Sequence, residues 1–148
     1  MIIREAKVTD LEAWMKLLDS VKAYFPGLDM QEYRRQLKAS MSRSEALAAI
    51  ELDNLIGAVV FSKEAKEILF LAVHPAHRRA GAANQLLHAV MNSFQTGDVV
   101  RVTTYREHDN MGVGARSLYR RFGFIPESLI TVFDYPCEVL KYQIPNKQ

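Results

Sequence analysis

The chain reads as a single α/β domain, residues 1–148, with a central mixed, largely antiparallel sheet and flanking helices. Three observations predict this. The run Ile68-Leu69-Phe70-Leu71-Ala72-Val73 is wholly apolar and of strand length, as expected for a strand buried on both faces. Behind it, Ala83, Leu86, Leu87, Val90 and Phe94 recur at helical spacing. Then Val99 to Tyr105, VVRVTTY, is β-branched and apolar, so strand, helix and strand follow in turn and the two strands should pair in parallel.

The remaining elements follow in order. Ile2 to Lys7 alternates as a first strand. Thr9-Asp10-Leu11-Glu12 has the form of a capping box, and the helix it opens sets Leu11, Trp14, Leu18 and Val21 on one side, with Trp14 in the core. Tyr24-Phe25-Pro26-Gly27 breaks that helix. Asp29 caps a second helix, whose apolar positions are Met30, Tyr33, Leu37 and Met41 and whose solvated side carries Arg34, Arg35 and Lys38. Glu45 to Leu52 and Leu55 to Lys63 form a hairpin turning at Asp53-Asn54, and a further turn over 63–66 leads into the apolar strand. Gly97-Asp98 closes the helix after that strand. A polar loop over 107–114 precedes a short helix, Ala115 to Phe122, with Ala115, Leu118, Tyr119 and Phe122 at core spacing and Gly123 just past its end. Val132 to Tyr135 and Glu138 to Gln143 read as two closing strands around Pro136.

Composition narrows the function classes. The 148 residues are 49% hydrophobic and 24% charged, which suits one globular domain with a real core. A net charge of +2 is too mild for a dedicated nucleic-acid binder. Cys137 is the single cysteine, which precludes an internal disulfide and suits a reducing cytoplasm. The opening MIIREAKVTD is charged too early for a signal peptide, and no apolar run approaches membrane-spanning length. Of the four histidines, His74 and His77 flank Pro75, His88 lies on a helix and His108 in a loop; none has partners at metal-ligand spacing, so no metal is expected.

The segment after the apolar strand carries the chemistry. Arg78-Arg79-Ala80-Gly81-Ala82-Ala83 joins two cationic forks to a helix start with almost no side chain in the way. Backbone N–H groups at a helix start lack partners and carry partial positive charge, so this junction suits a phosphate. A plain connection with solvated arginines fits the residues as well.

The same six residues fit the Arg/Gln-x-x-Gly-x-Gly/Ala signature of the GNAT superfamily of acetyl-CoA-dependent N-acetyltransferases, and the preceding strand ending Val73-His74-Pro75 also resembles that family. A second match is Ala115-Arg116-Ser117-Leu118-Tyr119 running into Gly123-Phe124. The order of elements, a strand, two helices, three strands and a cofactor helix, is similar too. The resemblance implies a GNAT-like fold in which the parallel strands beginning near Glu67 and Val99 splay apart to admit acetyl-CoA. It implies that Arg78, Arg79, Ala80, Gly81, Ala82, Ala83 and Asn84 hold the pyrophosphate and Leu71, Ala72 and Val73 the pantetheine arm. Tyr119 stands where many members protonate the departing thiolate, and Glu67 at the offset of a catalytic glutamate in some. Gly112 occupies a position where an asparagine often contacts the cofactor; either a shifted loop lets Asn110, two residues earlier, make that contact, or the contact is absent. Tyr24, Phe25 and Tyr33 fall where the family shapes its acceptor pocket.

The implied reaction is acetyl transfer to a primary amine, small or peptidic, by direct attack and without metal, nucleic acid or membrane. The family often dimerises, and the last strands offer an edge for a homodimer. A non-catalytic acetyl-CoA sensor is the alternative. Two rival readings are a dinucleotide fingerprint at Gly112-Val113-Gly114-Ala115-Arg116-Ser117, imperfect in its last glycine, and phosphate contacts to nucleic acid through Arg78, Arg79, Arg116, Arg120 and Arg121.

Overall fold

The computed structural model describes residues 1–78 and 80–146. Its elements are β1 (Ile2–Glu5), α1 (Leu11–Val21), α2 (Met30–Ser42), β2 (Ala46–Glu51), β3 (Asn54–Ser62), β4 (Glu67–Val73), α3 (Ala82–Met91), β5 (Val99–Tyr105), α4 (Val113–Phe122), β6 (Ile125–Val132) and β7 (Tyr135–Gln143). The seven strands make one sheet in the order β1-β2-β3-β4-β5-β7-β6. Every neighbouring pair is antiparallel except β4 and β5, the parallel pair that the helix between them requires.

Each sheet face has its own core. One is covered by α1 and α2 and gathers Trp14, Leu18, Leu37, Val60 and Phe70. The other, under α3 and α4, gathers Phe61, Ile68, Leu86, Leu87, Val102 and Tyr119. Ile68 and Phe70 are two apart yet face opposite cores. A bulge explains this: Val60 pairs with Phe70 and Phe61 with Ile68, so Leu69 is the extra residue and alternation slips there.

Local chemistry accounts for the boundaries and for several departures from expectation. Asp29 caps α2 as expected, accepting from Gln31 and Glu32 N–H. At α1 the expected Thr9–Glu12 box does not form. Asp10 takes that place: it accepts from Lys7 N–H at 2.8 Å and is gripped by both Arg4 Nη atoms, while Glu12 pairs with Arg34 on α2. The β2–β3 turn is Leu52-Asp53, both with positive φ, one residue earlier than expected. α3 ends at Met91, ahead of Gly97. α4 begins at Val113, and Arg116, 8% exposed, occupies the inward position expected for Ala115, which is exposed. Gly123 ends it with φ 119°, its N–H bonded to Tyr119 and Arg120 carbonyls. The closing pair differs most. β6 runs from Ile125, and Pro136 lies inside β7 rather than between strands. β6 is a mostly exposed edge strand, so it has no apolar signal, and Pro126 obscures it further.

Candidate active site

β4 and β5 each run for seven residues, but their ladder holds only Glu67 to Arg101 and Ile68 to Val102. Beyond that point the facing edges part. The gap has a visible mark: Leu69, in mid-strand near the centre of the sheet, is 55% exposed. Backbone groups along an open edge inside a domain need a partner, and an extended amide-bearing chain can supply one. Leu71, Ala72 and Val73 line this part of β4; Leu71 and Val73 also pack on the α3 core and Ala72 on the other.

β4 leads to the start of α3 by a tight turn. His74 Nδ1 accepts from Ala76 N–H at 3.1 Å, so this histidine caps a single 3-10 turn. Gly81, the residue before α3, has φ 84°, a left-handed conformation that favours glycine. No side chain caps this helix, so the N–H groups of Ala82, Ala83 and Asn84 are left for an anion. Arg78 is exposed beside them with its guanidinium 5.2 Å from the Tyr24 ring centre. Arg79 lies outside the described residues.

Tyr119 projects from α4 into the α3-side core, 5% exposed, its ring edge-on to Phe124 at 5.4 Å. Burial pushes its phenol well above the ordinary tyrosine value, so it stays protonated.

The other expected residues scatter. Glu67, half-buried, sits at the closed end of the gap, where the ladder still joins the strands. Asn110 is exposed on a 3-10 turn before α4. Gly112 is buried there for a packing reason: a Cβ would stand 2.6 Å from Tyr105 Cβ. Gly114 has nothing within 4 Å of its would-be Cβ. Arg116 is not available to a nucleic-acid phosphate: it donates to Tyr105 O at 2.9 Å and to Glu138 Oε1 at 2.7 Å. Two cavities of about 310 and 200 Å³ flank α4 near Arg116 and Arg120, and neither is lined by β4.

Three aromatic positions expected at the acceptor pocket divide. Tyr33 belongs to the core, accepting from Trp14 Nε1 at 2.9 Å, and Phe25 packs on Phe70 at 4.9 Å. Tyr24 faces the site: its carbonyl accepts from Tyr105 Oη, and its ring lies beneath Arg78. The α1–α2 connection therefore touches both sides of the splayed strands. Sequence reasoning missed Leu69, Tyr105, Asp109 and Tyr135. Tyr105 ends β5, its ring 5.4 Å from that of Tyr135, whose hydroxyl donates to Asp109 Oδ2 at 2.6 Å. The position of Tyr105 at a strand end beside a polar loop was a usable signal; pairing it with Tyr135 needs the β5–β7 register.

A mixed sheet parted at its one parallel pair, with an uncapped helix start at the mouth, is an arrangement suited to a phosphate-bearing ligand with a long arm. The profile of the acetyltransferase (GNAT) domain matches residues 18–137, and the chain belongs to the GNAT acetyltransferase family. Solved structures agree on the fold. A GNAT-family acetyltransferase from Bacillus cereus superposes with a TM-score of 0.79 at 17% identity, covering 98% of both chains. An aminoglycoside 6'-N-acetyltransferase complexed with coenzyme A gives 0.76 at 16% identity over 100% of both. Arabidopsis thaliana Naa50, in complex with the bisubstrate analogue CoA-Ac-MVNAL, gives 0.73 at 20% identity over 97% of this chain and 98% of that one. No curated protein sequence matches the chain. Among the described residues no helix is long and apolar enough to cross a membrane, and no group of three potential metal ligands occurs.

Proposed function

We propose that this protein transfers an acetyl group from acetyl-CoA to a primary amine by direct attack. The observation that carries the reading is the open edge of β4 beyond Ile68, leading to the uncapped, glycine-started helix α3. Arg78 and the N–H groups of Ala82, Ala83 and Asn84 bind the pyrophosphate, together with Arg79 and the small residues Ala80 and Gly81. Leu71 to Val73 hold the pantetheine arm along the strand edge, and Leu69 borders the acetyl group. Asn110 reaches the cofactor from the α4 side.

The chemistry needs three proton movements. The amine sheds a proton and its nitrogen attacks the thioester carbonyl; the C–S bond then breaks. Tyr119 gives its proton to the leaving sulfur, and the amide nitrogen releases the second proton of the amine, so that phenol and solvent return to balance. Glu67 stands four strand steps from Leu71, about 13 Å at ~3.3 Å per residue, so its part as base runs through a water relay. Cys137 as the one cysteine suits a reducing cytoplasm.

Calorimetric titration with acetyl-CoA, and with NAD and ATP alongside, tests the reading. Acetyl-CoA should bind alone, and Arg78→Glu should weaken it by about tenfold or more, the loss of a charge-assisted contact together with added repulsion. NAD binding in its place would sink the proposal. Turnover on a panel of amines separates an enzyme from a sensor.

A further inference from the structure

We propose a second binding site on the side of α4 turned away from the cofactor gap. It takes a free α-amino acid with an apolar side chain: the carboxylate on Arg116 and Arg120, the ammonium on Glu107, and the side chain over Phe124, Ile125 and Leu140. The site is independent of the acetyltransferase reading.

Its place follows from the helix. Phe122 packs on His88 of α3 with ring centres 4.8 Å apart, so that side of α4 faces α3. At about 3.6 residues per turn, Val113 and Arg120 stand on the opposite side, with Arg116 between that side and the sheet. Two cavities lie along it. One of about 310 Å³ is lined by Glu107, Val113, Arg116 and Arg120 among others. The other, of about 200 Å³, is lined by the same two arginines and by Phe124, Ile125, Pro126 and Leu140. The arginines are the wall that both share, so a group held on them has space to either side.

The charges of that wall select the ligand. Arg116 is buried, and its bonds to other described residues run from Nη1 alone, to Tyr105 O at 2.9 Å and to Glu138 Oε1 at 2.7 Å. A guanidinium has five N–H donors; these bonds use the two on Nη1 and leave three for an oxyanion. Arg120 is exposed one turn further on, and among the described residues neither it nor Glu107 forms a salt bridge. Arg116 and Arg120 are matched in number by Glu138 and Glu107, so the wall as a whole has no excess positive charge for a plain anion. It holds unspent charge of both signs, on Arg120 and on Glu107. Such a pair complements a ligand that carries both signs itself.

The apolar lining supplies the third feature. Val113 and Ile125 are each more than half exposed, while Phe124 and Leu140 are buried and floor the smaller cavity. Covering exposed apolar surface of this kind stabilises a complex. An α-amino acid carries carboxylate, ammonium and side chain on one carbon, and so addresses arginines, glutamate and apolar floor together. Glycine lacks the group that would cover Ile125; leucine has it.

The test is calorimetry on the full chain with leucine, glycine, 4-methylpentanoate and 3-methylbutylamine, the last two being leucine without its ammonium and without its carboxylate. Leucine should bind about tenfold or more tighter than each of the others, because each lacks one contact. Arg120 and Glu107 are exposed, so the fold tolerates their replacement. Arg120→Gln should weaken leucine about tenfold. Glu107→Gln should weaken leucine about tenfold and leave 4-methylpentanoate no weaker, a split that a merely structural role would not produce. Acetyl-CoA affinity should stay within about twofold in both variants. Absence of leucine binding overturns the proposal, and so does glycine or 4-methylpentanoate binding as tightly as leucine. Leucine binding that neither substitution weakens lies elsewhere, the amine end of the active site included, and overturns it too.

Discussion

Gly112 offers a sharp test of how the site is built. Its φ of −100° and ψ of −1° are open to alanine, so substitution carries no backbone penalty. The obstacle is steric. A Cβ at Gly112 would stand 2.6 Å from Tyr105 Cβ and 3.4 Å from two atoms of its ring. Carbon atoms pack comfortably at about 3.5–4.0 Å, so about 1 Å of movement is needed. Tyr105 Cβ is rooted in β5 and cannot rotate aside; either the strand end or the turn before α4 must give. Overpacking of this kind costs roughly 1–3 kcal/mol, or about 2–12 °C in Tm at ~2–4 °C per kcal/mol for a domain of this size. Gly114 is the control. It lies in the first turn of α4 with nothing within 4 Å of a built Cβ, so Gly114→Ala should stabilise by about 0.5–1 kcal/mol through a less entropic unfolded chain and a better helix former. Two added methyls, two residues apart, should thus move Tm in opposite directions in a calorimetric or circular-dichroism melt. Under the acetyltransferase reading, Gly112→Ala should also raise KM for the amine, because Tyr105 would leave Tyr24 and Tyr135. A Gly112→Ala protein that melts at or above the parent temperature would refute the packing argument.

Other expected outcomes concern single groups. Tyr119→Phe should lower kcat by about 10²-fold or more, the usual worth of a positioned acid, with acetyl-CoA affinity nearly unchanged; equal losses in both would count against the acid role. Glu45 is 6% exposed and accepts from Lys63 N–H at 2.6 Å and from Arg43 Nε at 2.8 Å. Burial alone would raise its carboxyl, but these bonds outweigh it and hold it below the ordinary value. Arg43 is largely exposed and finds water, so Glu45→Ala strands only the Lys63 N–H and should cost about 1–3 kcal/mol in denaturant unfolding, while Glu45→Gln, which still accepts from Lys63, should cost less. Asp10 is held below its ordinary value first by the Arg4 guanidinium, with Lys7 N–H adding to it. Its contribution to stability is therefore present above the unfolded value near 3.9 and lost as pH falls through the lower folded one; Asp10→Asn should flatten the stability profile in that acid range.

Residues with strong local chemistry could be read directly. Asp29 caps α2, Gly123 ends α4, and Val99 to Tyr105 is a strand with the bounds its composition suggested. What misled was chemistry shared between distant segments. Asp10 answers to Arg4 and Lys7 rather than to its own helix, and Arg116 is buried because Glu138 and the Tyr105 carbonyl await it. β6 gave no periodic pattern because an edge strand with an exposed face has little to bury.

The division follows from range. Apolar periodicity, caps and turn residues act within a few positions, so the strand 68–73, the small-residue turn after Arg78 and the helix beyond were determined by the chain alone, and with them the family resemblance. The open gap was decided only by the tertiary structure. A bulge at Leu69, a parallel ladder that stops after Ile68, and a sheet register that sets Tyr135 beside Tyr105 and Asp109 depend on partners up to tens of residues away. Side chains at that separation meet only when the whole sheet has formed, which is why the strand, turn and helix of 68–94 could be read from sequence and the gap beside them could not.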